Sequence, residues 1–449
     1  MSSDLFKNFD PVTETAWKQK IQVDLKGADY NETLLWHTDE GISVKPFYTK
    51  YDRTHQKINS PKNSFNICQS IFVDDEKIAN HLAIDTLKRG ANSIQFTAKE
   101  EFNFEVLLKD IDLKTTIIYF ELKFLSSKFI KSVSNYANSE NVFFQIDIIG
   151  NLAKTGNCFY NLKEDQNQLK EILSLPNNSI SVNTSLYQNA GATIVQQLAY
   201  ALAHTNEYLT IYGNSVIEKL NFQFSVGSNY FFEIAKLRAF RMLWSSLLKE
   251  YDAKNIEAHI FTKPTLRNKT LYDYNVNLLR TSSESMSAIL GGSNTVSNVA
   301  YDAIYHKSNE FGERIARNQL LILKEESELS SAQNFADGTY YIESITTQLA
   351  EKALAVFKLI ENGGGFLKQL KEGIIQRKIT ESANKELDKF TEKEISLLGT
   401  NIIPNEKDKM KDDLELYPFI KQRKEKTLIP PIIEKRLAEL VEKERLNKE

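Results

Sequence analysis

The chain has 449 residues, 41% of them apolar and 26% charged, with 56 basic against 59 acidic side chains and a net charge of -3. That composition suits a soluble protein of one large domain plus appendages, and it provides no global field for nucleic acid or an anionic membrane. The opening MSSDLFKNFD has no basic stretch leading into an apolar run, and no segment approaches the roughly 20 apolar residues of a membrane span, so a cytoplasmic location is expected.

Residues 1–63 form the first region. Trp17, Ile21 and Leu25 recur at a spacing of four, which predicts a helix ending near Gly27. The extended TLLWHTDEGISVKPFYTKYD that follows cannot bury Trp36, Phe47 and Tyr48 by itself. As an arm it should lie across the main domain or across a second subunit.

From about residue 64, strand and helix patterns alternate. Candidate strands are Ser93–Thr97, Thr116–Leu122, Val142–Ile149, Ser179–Asn183, Leu220–Val226 and Glu257–Thr262, with a further apolar segment near Met286–Leu290. Helical patterns separate most of them, for example Tyr230–Tyr251 with its stripe of Phe231, Ile234, Leu237, Met242, Leu243, Leu247 and Leu248. Such alternation implies parallel strands joined by right-handed crossovers. With about eight units, residues 64–365 fit an α/β fold of the (β/α)8 TIM-type barrel. No GxGxxG follows any strand, which argues against a dinucleotide-binding sheet.

One unit, Ser179–Leu209, has the form of a barrel site. Ile180 and Val182 alternate with Ser179, Ser181 and Asn183 as in a strand, then Ile194, Val195, Leu198, Leu202 and Leu209 recur at helical spacing. Between them, Thr184–Ala192 is a loop at the C-terminal end of a strand, where barrel enzymes place their chemistry. It contains no obvious catalyst. Residues 366–449 read as a helical extension. A helix lined by Ile345, Leu349, Ala353, Val356 and Ile360 stops at Gly363-Gly364-Gly365, Phe366–Phe390 is another, and breaks at Asn401–Pro404 and Pro430-Pro431 precede a charged helix over Ile432–Asn447, expected to be a solvated face.

Candidate chemistry is sparse. Cys68 and Cys158 are too few for a disulfide framework and too far apart for a CxxC site, so both are expected reduced and buried. His37, His55, His81, His204, His259 and His306 never fall at the i, i+3 or i, i+4 spacing of helix-borne metal ligands, so no metal site is expected. His259 lies in a strand pattern and reads as a packed or hydrogen-bonded residue. No GxSxG elbow, Walker loop or HExxH occurs. Glu325 and Glu326 are adjacent and do not face each other on a helix. Arg314, Arg317 and Asn318 open a helix; they suit either a phosphate or, the reading preferred, an ion pair with Glu313 or Glu325.

Several segments, in order, resemble the methylmalonyl-CoA mutase family. They are the TLLWHTDEGISVKPFYTKYD arm, AGA at Ala190–Ala192 followed by LAYALA, RMLWSSLLKEY at Arg241–Tyr251, NLLRT at Asn277–Thr281, Arg314–Gly365, and GGFLKQLKEGIIQRKI at Gly364–Ile379. The resemblance covers roughly residues 10–400. It implies a barrel threaded by acyl-CoA, radical isomerisation of methylmalonyl-CoA and succinyl-CoA with adenosylcobalamin as radical source, and an N-terminal arm that reaches around a partner subunit. The family's cobalamin domain carries a DxHxxG loop. Here the residues two positions before each histidine are Leu35, Arg53, Ala79, Leu202, Glu257 and Ile304, so that motif is missing; RLAELVEKERL at Arg436–Leu446 resembles the linker leading into the domain.

The family's catalytic residues also fail to carry over. Its IRQY motif, whose tyrosine steers the radical, falls on Ile67-Cys68-Gln69-Ser70. The histidine of its GYHM segment, which bonds the thioester carbonyl, falls on Leu186, and the histidine of its GGTQSLHTN loop falls on Ser297. Cys68, Ser70, Leu186 and Ser297 therefore mark replaced positions, and no catalytic, cofactor-binding or metal residue is expected. The resemblance implies a small, non-catalytic subunit in a heterodimer, with acyl-CoA and adenosylcobalamin held by a large partner and with no nucleic-acid or membrane partner. Two alternatives remain at this point: a catalytic acyl-CoA barrel with its cobalamin domain on another chain, and a free-standing acyl-CoA-binding or scaffolding protein. Whether Arg317 or Lys263 contacts a phosphate also stays open.

Overall fold

The computed structural model describes residues 8–53, 58–331, 334–421 and 425–449, and His55 lies outside them. A short antiparallel pair, β1 (Trp36–His37) and β2 (Ser43–Val44), belongs to the arm. Eight parallel strands then close into a barrel: β3 (Asn66–Phe72), β4 (Ser93–Ala98), β5 (Ile117–Leu122), β6 (Val142–Ile146), β7 (Asn178–Asn183), β8 (Leu220–Val226), β9 (His259–Pro264) and β10 (Thr295–Ser297). β10 pairs with both β9 and β3, which completes the ring.

Alternation along each strand decides which side chains face the helices and which face the barrel axis. On β8, Phe222 meets the rings of Phe240 and Trp244 at 4.6 and 5.2 Å, and Phe224 meets Phe240 at 4.9 Å. Those partners lie on the Tyr230–Glu250 helix, so these strand residues point outward. Asn221, Gln223 and Ser225, one position out of phase, face the axis. The same parity puts Ile118 and Phe120 of β5, and Ile180 and Val182 of β7, in the principal apolar cluster. The main core is thus the sleeve between strands and helices, where each buried Phe contributes on the order of 2–3 kcal/mol. Barrels of this type usually fill their interior with branched apolar residues; this one lines it with Ser, Thr, Asn, Gln and a few rings.

Several elements differ from the sequence expectation. β3 and β10 are strands that periodicity did not propose. Met286–Leu290 is not a strand but the last turn of the Val276–Leu290 helix, an apolar run too short for periodicity to arbitrate. β6 stops at Ile146 because the Asp147 side chain accepts from Gly150 N at 2.7 Å and starts the Ile148–Thr155 helix. β9 begins two residues later than expected, at His259. The Thr184–Ala192 loop holds a helical turn, Ser185–Asn189. Gly373, in the left-handed region, splits the expected Phe366–Phe390 helix into Phe366–Lys371 and Ile374–Thr391.

The C-terminal segment also differs. Only Glu439–Leu446 is helical, and it is not simply a solvated face. Glu442 is buried, accepts from Leu271 N at 2.7 Å and pairs with Arg436 at 2.5 Å. Before it, the chain runs as a strap whose amides bond to carbonyls of Gly156, Ala153, Asn189 and Arg267.

The arm lies on its own barrel. Trp36 sits edge-on to Phe232 at 5.6 Å, Tyr48 is 5.2 Å from Tyr341, and Glu40 accepts from Ile194 N and Val195 N at 2.7 Å each. An acidic side chain is favourable at that helix N-terminus. The Glu14–Asp24 helix buries none of its residues, and Trp17 stays exposed beside Phe47.

Candidate functional site

Tyr119 of β5 determines what the barrel axis can hold. Its hydroxyl lies 2.8 Å from His259 Nε2 on β9 and 2.7 Å from Thr295 Oγ1 on β10. β9 stands four places from β5 in the ring of eight, so this side chain crosses the full barrel. Phe143 lies tilted 5.0 Å from Tyr119 and stacks 4.6 Å from His259, and Phe261 packs 4.9 Å from Tyr119. Cys68 joins the same cluster. Burial, helped by the Arg241 charge, pushes the His259 imidazole down to about 3, so it is neutral and can share donor and acceptor roles with the two hydroxyls. Burial also pushes the Cys68 thiol up to about 12, leaving it a packed group without thiolate character.

A polar layer lies next to this plug, at the following inward position of β3, β4, β6 and β9. Ser70 donates to Gln95 Oε1 at 2.8 Å and lies 3.2 Å from Ser297 Oγ. Lys263 Nζ donates to the same Gln95 oxygen at 2.5 Å, and Gln95 Nε2 donates to Gln145 Oε1 at 2.5 Å. Burial lowers the Lys263 ammonium, offset in part by Glu121. Burial alone would raise the Glu121 carboxyl, but the ammonium groups of Lys123 and Lys263 hold it down at about 2. Glu121 also pairs directly with Lys123 and accepts from Thr97 at 3.1 Å.

Ser70, Ser297 and Cys68, on adjacent strands, are therefore brought together. Leu186 is not with them. It follows β7, four places from β3 in the ring, and is 2% exposed in the principal apolar cluster. Its turn is held from below by Tyr187, whose hydroxyl is 2.9 Å from His204 Nδ1; His204 Nε2 and the Tyr208 hydroxyl meet Asp147 Oδ1 at 2.9 and 2.8 Å. The interactions of Asp147, the His204 contact foremost, lower its carboxyl despite burial. This position presents an apolar side chain to packing and no polar atom.

The arginine cluster does not form the expected ion pair with Glu313 or Glu325. Arg314 pairs with Glu310 at 3.5 Å rather than with Glu313 or Glu325, and Arg317, buried, donates to Gln69 Oε1 at 2.5 Å. Among the described residues, no group of three His, Cys, Asp or Glu side chains is placed to hold a metal ion. A cavity of about 790 Å³ lies over the loops that follow β7, β8 and β9, at Gln188, Gly227 and Asn268, and is walled by arm residues Trp36 and Glu40 and by the Ile374–Thr391 helix. Sequence reasoning missed Tyr119, Gln95 and Gln145. Their signal was present: each shares a two-residue phase with Glu121, Ser93 or Phe143 on strands whose other phase is uniformly apolar.

Fold and interior together define a TIM-type α/β barrel whose axis is bridged by side chains. The methylmalonyl-CoA mutase family model matches residues 103–443, and the chain belongs to that family. It is similar to the methylmalonyl-CoA mutase small subunit of Porphyromonas gingivalis, with 32% identity over 439 residues, covering 89% of this chain and 71% of that protein. The large subunit from the same organism is 31% identical over 233 residues, and the methylmalonyl-CoA mutase of Escherichia coli 32% over 233 residues; each match spans 50% of this chain and 33% of the relative.

Proposed function

We propose that the chain is the small subunit of a heterodimeric, adenosylcobalamin-dependent methylmalonyl-CoA mutase, and that it stabilises a large subunit which carries the catalysis. The observation that carries this reading is the Tyr119–His259 bridge. An acyl-CoA chain reaches the reacting centre of such a barrel along the axis, and here the axis is crossed by a hydrogen-bonded ring cluster. Ser70, Leu186 and Ser297 supply neither the ring nor the imidazoles that the family's chemistry uses, which agrees with loss of turnover.

In the family, adenosylcobalamin supplies the radical when bound, and a histidine ligates its cobalt. The described histidines of this chain do not fit that role. His204 is engaged at both ring nitrogens, His259 Nε2 is held at Tyr119, His306 lies between Asp302 and Asp413, and His37 Nδ1 meets Ser43. His81 sits on the outer Glu76–Lys88 helix. No catalytic step is therefore assigned to these residues.

The decisive assay gives methylmalonyl-CoA and adenosylcobalamin to the purified chain, to a large subunit, and to the two together. Turnover is expected only when the large subunit is present, with the small chain raising its stability or yield. Isomerisation by this chain alone would overturn the proposal, and failure of the two to co-purify would remove its structural half.

A further inference from the structure

The polar layer above the plug has more hydrogen-bond donors than acceptors. Gln145 is 5% exposed and its Oε1 is taken by Gln95, while its Nε2 has no partner among the described residues. The amide cannot be turned over to relieve this, because its NH2 would then face the Gln95 NH2. Lys263 has three N–H bonds, and its one hydrogen bond goes to an amide oxygen that Ser70 also uses. Its ammonium lies in no ion pair within 4.0 Å among the described residues, and Phe261 lies 5.7 Å beneath it. The charged groups that act on Lys263 are Glu121, Lys123 and Glu313. Glu121 pairs directly with Lys123, and burial raises the Glu313 carboxyl.

An unpartnered buried amide and a half-buried ammonium are costly unless something accepts from them. We propose that the C-terminal mouth of this barrel binds a short free carboxylate, which accepts from Lys263 Nζ and from Gln145 Nε2 while Ser70 and Ser297 border it. A carboxylate brings about four acceptor positions and one negative charge, which suits four unspent N–H bonds and an ammonium that makes no direct ion pair. The ligand must be short, because the rings of Tyr119, Phe143 and Phe261 close the axis directly beneath. In that respect the site differs from one that receives a thioester along the barrel. The inference rests on the closed-axis part of the reading above, and the test separates the two.

The experiment is calorimetric titration of the full chain at fixed ionic strength, in a buffer free of carboxylates, with acetate, acetamide and acetyl-CoA as probes. Acetate should bind saturably and acetamide far more weakly. Lys263→Met should weaken acetate by roughly tenfold or more, the loss of a charge-assisted bond. Gln145→Glu is the second variant. It keeps the acceptor for Gln95 and so the fold, but puts a carboxylate where the ligand's would be, and it should also abolish binding. No saturable acetate signal, equal affinity for acetamide, or wild-type affinity in both variants would each overturn the site. Competition by acetyl-CoA would instead overturn the closed axis, and with it the restriction to short ligands.

Discussion

Removing one oxygen atom tests whether the barrel axis is closed. In Tyr119→Phe the ring remains, so its packing on Phe143 and Phe261 is kept, but the hydroxyl between His259 and Thr295 is lost. Each lost bond has a net worth of about 0.5–1.5 kcal/mol, and each stranded polar atom costs about 1–3 kcal/mol if it stays dry. Thr295 is fully buried, whereas His259 is partly exposed and can recover some hydration. The sum is a destabilisation of roughly 2–4 kcal/mol. Denaturant unfolding should register it as a lower midpoint at unchanged slope, since the surface exposed on unfolding hardly changes. Tyr51→Phe, on a side chain 77% exposed in the arm, is the matched control and should lie within about 0.5 kcal/mol of wild type. If Tyr119→Phe is as neutral as the control, water replaces the hydroxyl without cost. The axis would then be wet and open, and the argument against threading a ligand would fail.

His259 provides a pH test. Its folded value of about 3 lies below the unfolded one near 6.5, so the unfolded chain takes up a proton that the folded chain refuses; the stability this contributes is complete above pH 6.5 and falls toward pH 3 by up to about 1.4 kcal/mol per unit. His259→Gln should remove that component, so that its stability deficit narrows on acidification, and parallel wild-type and variant curves would contradict the assignment. Gly150→Ala should cost about 2–4 kcal/mol in the same unfolding assay, because the new Cβ would lie 2.2 Å from Asp147 Oδ2, the carboxylate oxygen that also accepts from Asn183 N. Leu186→His should not restore mutase turnover to this chain, since Ser70, Ser297 and the Tyr119 bridge are unchanged; activity of that single variant would refute the reading.

What the sequence reveals depends on which side of a strand carries the signal. β4, β5, β7 and β8 were placed within a residue or two because their outward phase is strongly apolar: Ile94 and Phe96, Ile118 and Phe120, Ile180 and Val182, Phe222 and Phe224. β10 is three residues long, and its single outward residue is Val296, too little for a pattern. β3 mixes Ile67 and Ile71 with Gln69, which turns outward to meet Arg317, so its alternation is blurred. Resemblance singled out Ser70 and Ser297, and the structure puts their hydroxyls 3.2 Å apart. The plug was not legible. Tyr119, Phe143 and Phe261 look like ordinary strand residues until ring closure brings β5 opposite β9.

This division explains how a barrel can keep its form while its interior changes. Outward residues are fixed by the helices: Phe222 cannot change without reopening its contacts with Phe240 and Trp244, and cavity costs of about 3–5 kcal/mol apply to such rings. Inward residues in a ligand-threaded barrel meet the ligand rather than the helices, so once no ligand passes they are limited only by space and hydrogen bonding. Filling the axis then contributes buried area and bonds of its own, as Tyr119 does with His259 and Thr295. An interior that is aromatic at one level and polar at the next is compatible with that freedom. By the same argument, Gln145 and Lys263, one level higher, are where the interior stays short of acceptors.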